Sequence, residues 1–193
     1  MNNNRSGKSC YGRAAGSINR GLAVAFAVLA ISGVVSAQNN VDNSFYQEPS
    51  LKFEGGIGVN PVTGVAANGT VNLNIVRGVS PAGPWRIVAL EATVRPDGHI
   101  RVFGRGLLLA AGNGIGTNAG ASVFATLFCG PAATATAHSS NRVALEEDGD
   151  FRISDFLTSA PPSPCDTPVL LIRNGAGTGV WFAAGIPKVE ERK

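Results

Sequence analysis

Histidine, cysteine and methionine are scarce in this chain, at two, three and one among 193 residues. His99 and His138 show no His-x-His or Glu-x-x-His spacing, which argues against a dedicated metal site. Charged residues make up 15% and aromatics 7%. No Gly-x-Ser-x-Gly elbow is present for a hydrolase nucleophile, and no glycine loop ends in Gly-Lys-Ser/Thr for a phosphate. The apolar run Gly21–Val35 spans 15 residues, short of the roughly 20 a membrane-crossing helix needs.

What is present at the start is an export signal. Arg5, Lys8, Arg13 and Arg20 form a cationic stretch without acidic residues, followed by the apolar run and then Val35-Ser36-Ala37. A charged region, an apolar region and a small-residue cleavage site in that order make a secretory signal peptide over 1–37. An uncleaved anchor is the alternative. Cys10 lies ahead of the apolar run, not directly after it, so lipid attachment is not expected. Cleavage before Gln38 leaves 156 of the 193 residues, enough for one domain with a core.

Removing the leader changes the charge. Four of the 16 Lys and Arg go with it and none of the 13 Asp and Glu, so the remainder is near neutral at −1. The basic character of the whole chain therefore belongs to the leader and gives no footprint for nucleic acid. The cysteines left are Cys129 and Cys165, 36 positions apart. Two cysteines in an oxidising compartment, with no local cysteine or histidine partner, predict one disulfide.

The segment 38–50 is polar and aperiodic, a flexible lead-in, and 188–193 is a short charged tail. Between them, over 51–187, Gly and Pro punctuate runs rich in Val, Ile, Leu, Phe and Thr, with no long helical period. This predicts an all-β domain of seven or eight short antiparallel strands, a β-sandwich or a closed β-barrel, with the sandwich slightly favoured. Strands are expected at Thr70–Val76, Trp85–Val94, His99–Leu109 and Ala121–Cys129. A hairpin is expected to pair Arg142–Glu147 with Phe151–Phe156 across Asp148-Gly149, and another to pair Val169–Arg173 with Val180–Ile186. Arg95-Pro-Asp-Gly98 reads as a turn, with Ile100 and Val102 on one face of the following strand and Arg101, Phe103 and Arg105 on the other. Gly104 and Gly106 suggest a bulge or bend.

Candidate chemistry is sparse. Gly114-Ile-Gly116-Thr-Asn-Ala-Gly120 has the letters of a dinucleotide loop, but β-branched and aromatic residues follow where a helix would be required, so it reads as a hairpin loop. His138 beside Ser139 and Ser140, or His99 after the turn, could serve a hydrolase with a carboxylate, although sequence neighbours on a strand point to opposite faces. Glu146-Glu-Asp-Gly-Asp150 could gather calcium but lacks the EF-hand spacing, and a solvated hairpin tip serves as well. Asn68-Gly-Thr70 has the letters of a glycosylation site and marks a turn. Trp85, Trp181 and Tyr46 could stack on a sugar or peptide. Trp181 reads as core, whereas Trp85, after a proline-rich turn, is the candidate ligand contact. No catalytic, metal or cofactor-binding residue is assigned.

The stretches Gly104–Asn118, Ala121–Cys129 and Trp181–Pro187 resemble uncharacterised exported bacterial proteins. The resemblance implies an envelope or secreted setting and carries no activity. The expected function is thus a binding or structural role with an envelope or extracellular partner, without nucleic acid, cofactor or membrane span after cleavage. A hydrolase and a carbohydrate- or calcium-binding module are the alternatives.

Overall fold

The computed structural model describes residues 50–188. The leader, its cleavage site, Tyr46 and the tail beyond Lys188 lie outside the described residues. Among those described the chain is all-β with no helix. Its 13 strands are β1 (Leu51–Gly58), β2 (Val62–Val65), β3 (Val71–Leu73), β4 (Trp85–Arg86), β5 (Ala89–Val94), β6 (His99–Arg105), β7 (Leu108–Leu109), β8 (Ser122–Cys129), β9 (Thr136–Ser139), β10 (Val143–Ala144), β11 (Phe151–Phe156), β12 (Val169–Asn174) and β13 (Trp181–Pro187). This exceeds the seven or eight expected: the runs Trp85–Val94 and His99–Leu109 each break into two strands, and β1, β2 and β9 lie outside the expected runs.

Nine strands form one antiparallel sheet in the order β10-β8-β12-β13-β1-β5-β6-β11, with β9 also paired to β8. The sheet curls into a half-barrel. Register shifts, with an extra residue in β1 between Phe53 and Gly56 and one in β13 opposite Ile172 and Arg173, add local twist. Small two-stranded sheets, β2-β3 and β4-β7, complete the set.

Strict alternation places the core. Leu90, Ala92 and Val94 of β5, Ile100 and Val102 of β6, and Phe151 and Ile153 of β11 are buried on the inner face, between exposed residues on the outer one. β8 is apolar on both faces and nearly all buried, as its sequence implied. The segment after β3 is tied back to the rest of the domain: the Trp181 indole donates to the Asn74 carbonyl at 3.0 Å, and Arg77 donates to the Thr167 carbonyl at 2.8 Å.

Several local expectations hold. The turn Arg95–Gly98 closes with Gly98 N–H on the Arg95 carbonyl at 2.9 Å, and Gly98 takes φ 86°, which its missing Cβ allows. β12 and β13 pair as the final hairpin. Others need correction. Thr70–Val76 gives only the exposed three-residue β3, paired to β2 outside the main sheet. Trp85–Val94 divides into β4 and β5, leaving Val88 between them exposed. The Asp148-Gly149 turn forms, with Gly149 N–H on the Glu146 carbonyl, but it separates two strands of different pairing: β10 joins β8 and β11 joins β6. Gly104 makes no bulge, since the register runs through it unshifted on both sides, while Gly106 at φ 62° bends the chain just beyond β6.

A disulfide joins Cys129, at the end of β8, to Cys165 in the proline-rich loop, with Cα atoms 5.0 Å apart. Around it, Gly130 N–H donates to the Asp166 carbonyl at 2.7 Å and the Thr167 hydroxyl to the Gly130 carbonyl at 2.8 Å. Leu157 N–H reaches the Gly98 carbonyl at 2.9 Å. The loop after β11 is thereby pinned to both the β8 end and the β5–β6 turn. Lys188, read as tail, extends the pairing of β1: its amide donates to the Lys52 carbonyl and its ammonium lies 2.6 Å from Glu54.

Candidate binding face

The alternation that buries Ile100, Val102, Phe151 and Ile153 turns the intervening residues outward in cross-strand rungs. Opposite β6 and β11 positions pair His99 with Phe156, Arg101 with Ser154 and Phe103 with Arg152. Paired residues on one sheet face lie close enough to touch. The His99 and Phe156 rings sit 5.2 Å apart, tilted, and the Arg152 guanidinium lies 5.2 Å from the centre of the Phe103 ring. Phe103 is nevertheless 45% exposed and Phe156 62%. Two large rings are therefore held about half-exposed on an outer face by cationic or aromatic neighbours.

The face continues across β5 and β1. A groove of about 270 Å³ runs between Lys52, Glu54, Glu91, Thr93, Arg101 and Phe103. A second of about 230 Å³ is lined by Ser50, Thr93, Arg95, His99 and Arg101. They meet at Thr93 and Arg101. Among the neighbouring charges Arg95 pairs with Asp97 at 3.2 Å and Glu54 with Lys188. Arg101, Arg105 and Arg152 form no ion pair among the described residues.

The residues singled out from sequence mostly serve the fold. Trp85, expected to be half-exposed, is 6% exposed and stacks on Phe182 with ring centres 4.1 Å apart. The proline-rich turn presses it inward against β13, so the indole faces the core. Trp181 is buried, as read. His138 is buried in register with Leu127. Its Nδ1 lies 2.8 Å from the Ser159 hydroxyl and 3.1 Å from the Ser159 carbonyl, and its Nε2 lies 3.1 Å from the Thr136 hydroxyl. A carbonyl only accepts, so Nδ1 carries a hydrogen directed at Ser159. The ring thus presents a donor to Ser159, where a general base would present a lone pair. Ser139 bonds Thr126 and Ser140 bonds the Ala125 amide, neither to the imidazole.

At the acidic tip, Asp148 accepts from the Asp150 amide at 3.0 Å and Asp150 from the Gly106 amide at 2.9 Å. Among the described residues no group of three His, Cys, Asp or Glu is placed to hold a metal ion. Gly112–Gly116 forms a turn fastened to Leu109, without a helix after it. Arg173, on β12, donates to the Gly179 carbonyl at 2.6 Å and lies over Phe124, so it fastens the 174–179 loop, and burial pulls its guanidinium below the ordinary value by desolvation.

Arg101, Phe103 and Arg105 share one side of a strand in the sequence pattern without any function attached, and Arg152 and Phe156 carry no signal of their own there. The available signal was Arg-x-Phe-x-Arg alternation in a run whose other positions are core. The fold and face define a small disulfide-pinned β domain with two exposed rings on an outer surface where cations outnumber carboxylates. No family model, curated protein or solved structure matches the chain.

Proposed function

We propose that this chain is an exported domain that acts by binding, without catalysis, through the outer face of β1, β5, β6 and β11. The observation that carries the reading is the exposure of Phe103 and Phe156 on adjacent strands, each braced by a facing cation or ring. Rings bury readily inside a β domain with this much apolar sequence, and leaving two on one outer face costs contact with the core. The disulfide supports an oxidising location, and the cationic–apolar–small leader supports export. The resemblance to exported bacterial proteins supports an envelope or secreted setting. The curl reads as a barrel closing on itself, because Thr158 N–H bonds the Ser139 carbonyl and Asn141 N–H bonds Asp155 between the two ends of the sheet.

The test is a titration of isotope-labelled protein with soluble envelope polymers from an exporting bacterium, followed by amide chemical shifts. Shifts concentrated at 99–105 and 152–156 are expected. Shifts confined to the 112–118 or 174–179 loops would remove the reading.

A second reading, hydrolysis, draws on the 2.8 Å approach of His138 to the exposed Ser159 hydroxyl. Labelling of Ser159 by a fluorophosphonate would favour it. The Nδ1–carbonyl contact predicts no labelling.

A further inference from the structure

We infer that the partner of this face is an acidic polysaccharide, a sugar chain bearing carboxylate, sulfate or phosphate groups. The inference rests on the binding reading above and names the ligand of the same surface. Residues 50–188 hold ten Lys and Arg against nine Asp and Glu. A cationic patch on this domain is therefore a matter of placement, not of overall charge. The outward positions of β6 and β11 are His99, Arg101, Phe103, Arg105, Arg152, Ser154 and Phe156, with no carboxylate among them. On the adjoining strands Glu91 stands opposite Phe103, and Glu54 beside it is paired with Lys188, so the face carries two carboxylates against Lys52, Lys188 and the three arginines. Four of the nine acids sit instead in the 146–150 turn.

None of the three arginines is spent on an ion pair among the described residues. A guanidinium presents a planar fork of donors that matches carboxylate, sulfate or phosphate oxygens. Along one strand, side chains on the same face recur about every 6.6 Å, so Arg101 and Arg105 flank Phe103 as regularly spaced donors on either side of an apolar plate. A polymer with alternating apolar sugar faces and anionic groups has that pattern. A small solute does not fit as well, because grooves of about 270 and 230 Å³ fall below the usual enclosing pocket of roughly 300–1,000 Å³. The disulfide supports a setting outside the reducing cytosol, where anionic polymers of this kind are met and nucleic acids are less so.

The experiment is affinity electrophoresis of the disulfide-intact protein in gels containing polygalacturonate, dextran sulfate, neutral dextran or a poly-dT oligonucleotide. Retardation by polygalacturonate or dextran sulfate is expected, weakening as salt rises. Arg101→Ala with Arg152→Ala should weaken it by about tenfold or more, the loss of charge-assisted contacts. Arg101→Lys with Arg152→Lys should restore part of it. Arg86→Ala, on β4, should leave it unchanged, and unaltered thermal melting certifies the fold of each variant.

Retardation by neutral dextran to the same extent, insensitive to salt, would overturn the acidic ligand while leaving the face intact if Phe103→Ala with Phe156→Ala abolishes it. Stronger retardation by poly-dT would replace the polysaccharide with nucleic acid. No retardation by any polymer would overturn the inference, and the envelope titration then decides the face independently.

Discussion

The ring of Phe151 occupies the space that a side chain at position 104 would need: a Cβ built on Gly104 would run into Cε1 and Cζ of Phe151. The two residues face each other in register across β6 and β11. The glycine is therefore a socket in an otherwise regular strand, and it seats the inward ring of β11 at 1% exposure. Gly104→Ala should overpack this site and cost about 1–3 kcal/mol. Phe151→Leu opens room, so the double variant should lose less than the sum of the two single losses. Urea denaturation of all four proteins measures the coupling. Simple additivity would mean that the neighbouring strands give way.

The disulfide yields the second prediction. Cys129 and Cys165 close a loop with a sequence separation of 36, worth about 4 kcal/mol on the chain-entropy model. Replacing both by serine, or reducing the protein, should lower the urea midpoint accordingly. The loss should be local first. Amide exchange should quicken at Gly130, whose hydrogen bond to Asp166 depends on the loop, while Val102 and Ile172 in the sheet remain slow.

How much of this was legible depends on the range of the interactions. The inner face of β6, the turn at Gly98 and the last hairpin are local patterns, and they were readable. β1 lies outside the expected strands, since Gly55-Gly-Ile-Gly58 offers few of the β-branched and aromatic residues that mark one. Its glycines answer to distant neighbours: a Cβ on Gly56 would press Ile87 and Leu90 at 2.9 Å, and one on Gly58 would strike the Trp85 carbonyl. The Asp148-Gly149 turn was recognised, but a tight turn does not dictate which strand its second arm pairs with. Phe151 finds its socket on β6, so β11 leaves β10. The binding face depends on that same long-range choice. Arg152 and Phe156 acquire meaning only once β11 lies beside Phe103 and His99.

His138 tests whether a buried imidazole here is a strut. Its two ring nitrogens join Thr136 on β9 to Ser159 in the loop after β11. His138→Ala would remove both contacts and leave a void, at a cost of about 1–3 kcal/mol. Ser159→Ala should cost under about 1 kcal/mol, since the Ser159 carbonyl still accepts from Nδ1. Equal losses from the two substitutions, read by thermal or urea denaturation, would show that the hydroxyl carries the contact.

Phe103 and Phe156 separate binding from architecture. At 45% and 62% exposure they contribute little to the core, and the Arg152 contact to Phe103 is an exposed cation–π pair worth about 0.5–1 kcal/mol. Phe103→Ala with Phe156→Ala should therefore shift stability by no more than about 1 kcal/mol, leave the disulfide formed, and abolish the chemical-shift response of 99–105 and 152–156 to envelope polymers. Loss of several kcal/mol without loss of response would make the rings structural. The opposite outcome, a stable fold with a silent face, places the rings in the binding surface, either against the ligand or holding Arg152 and His99 toward it.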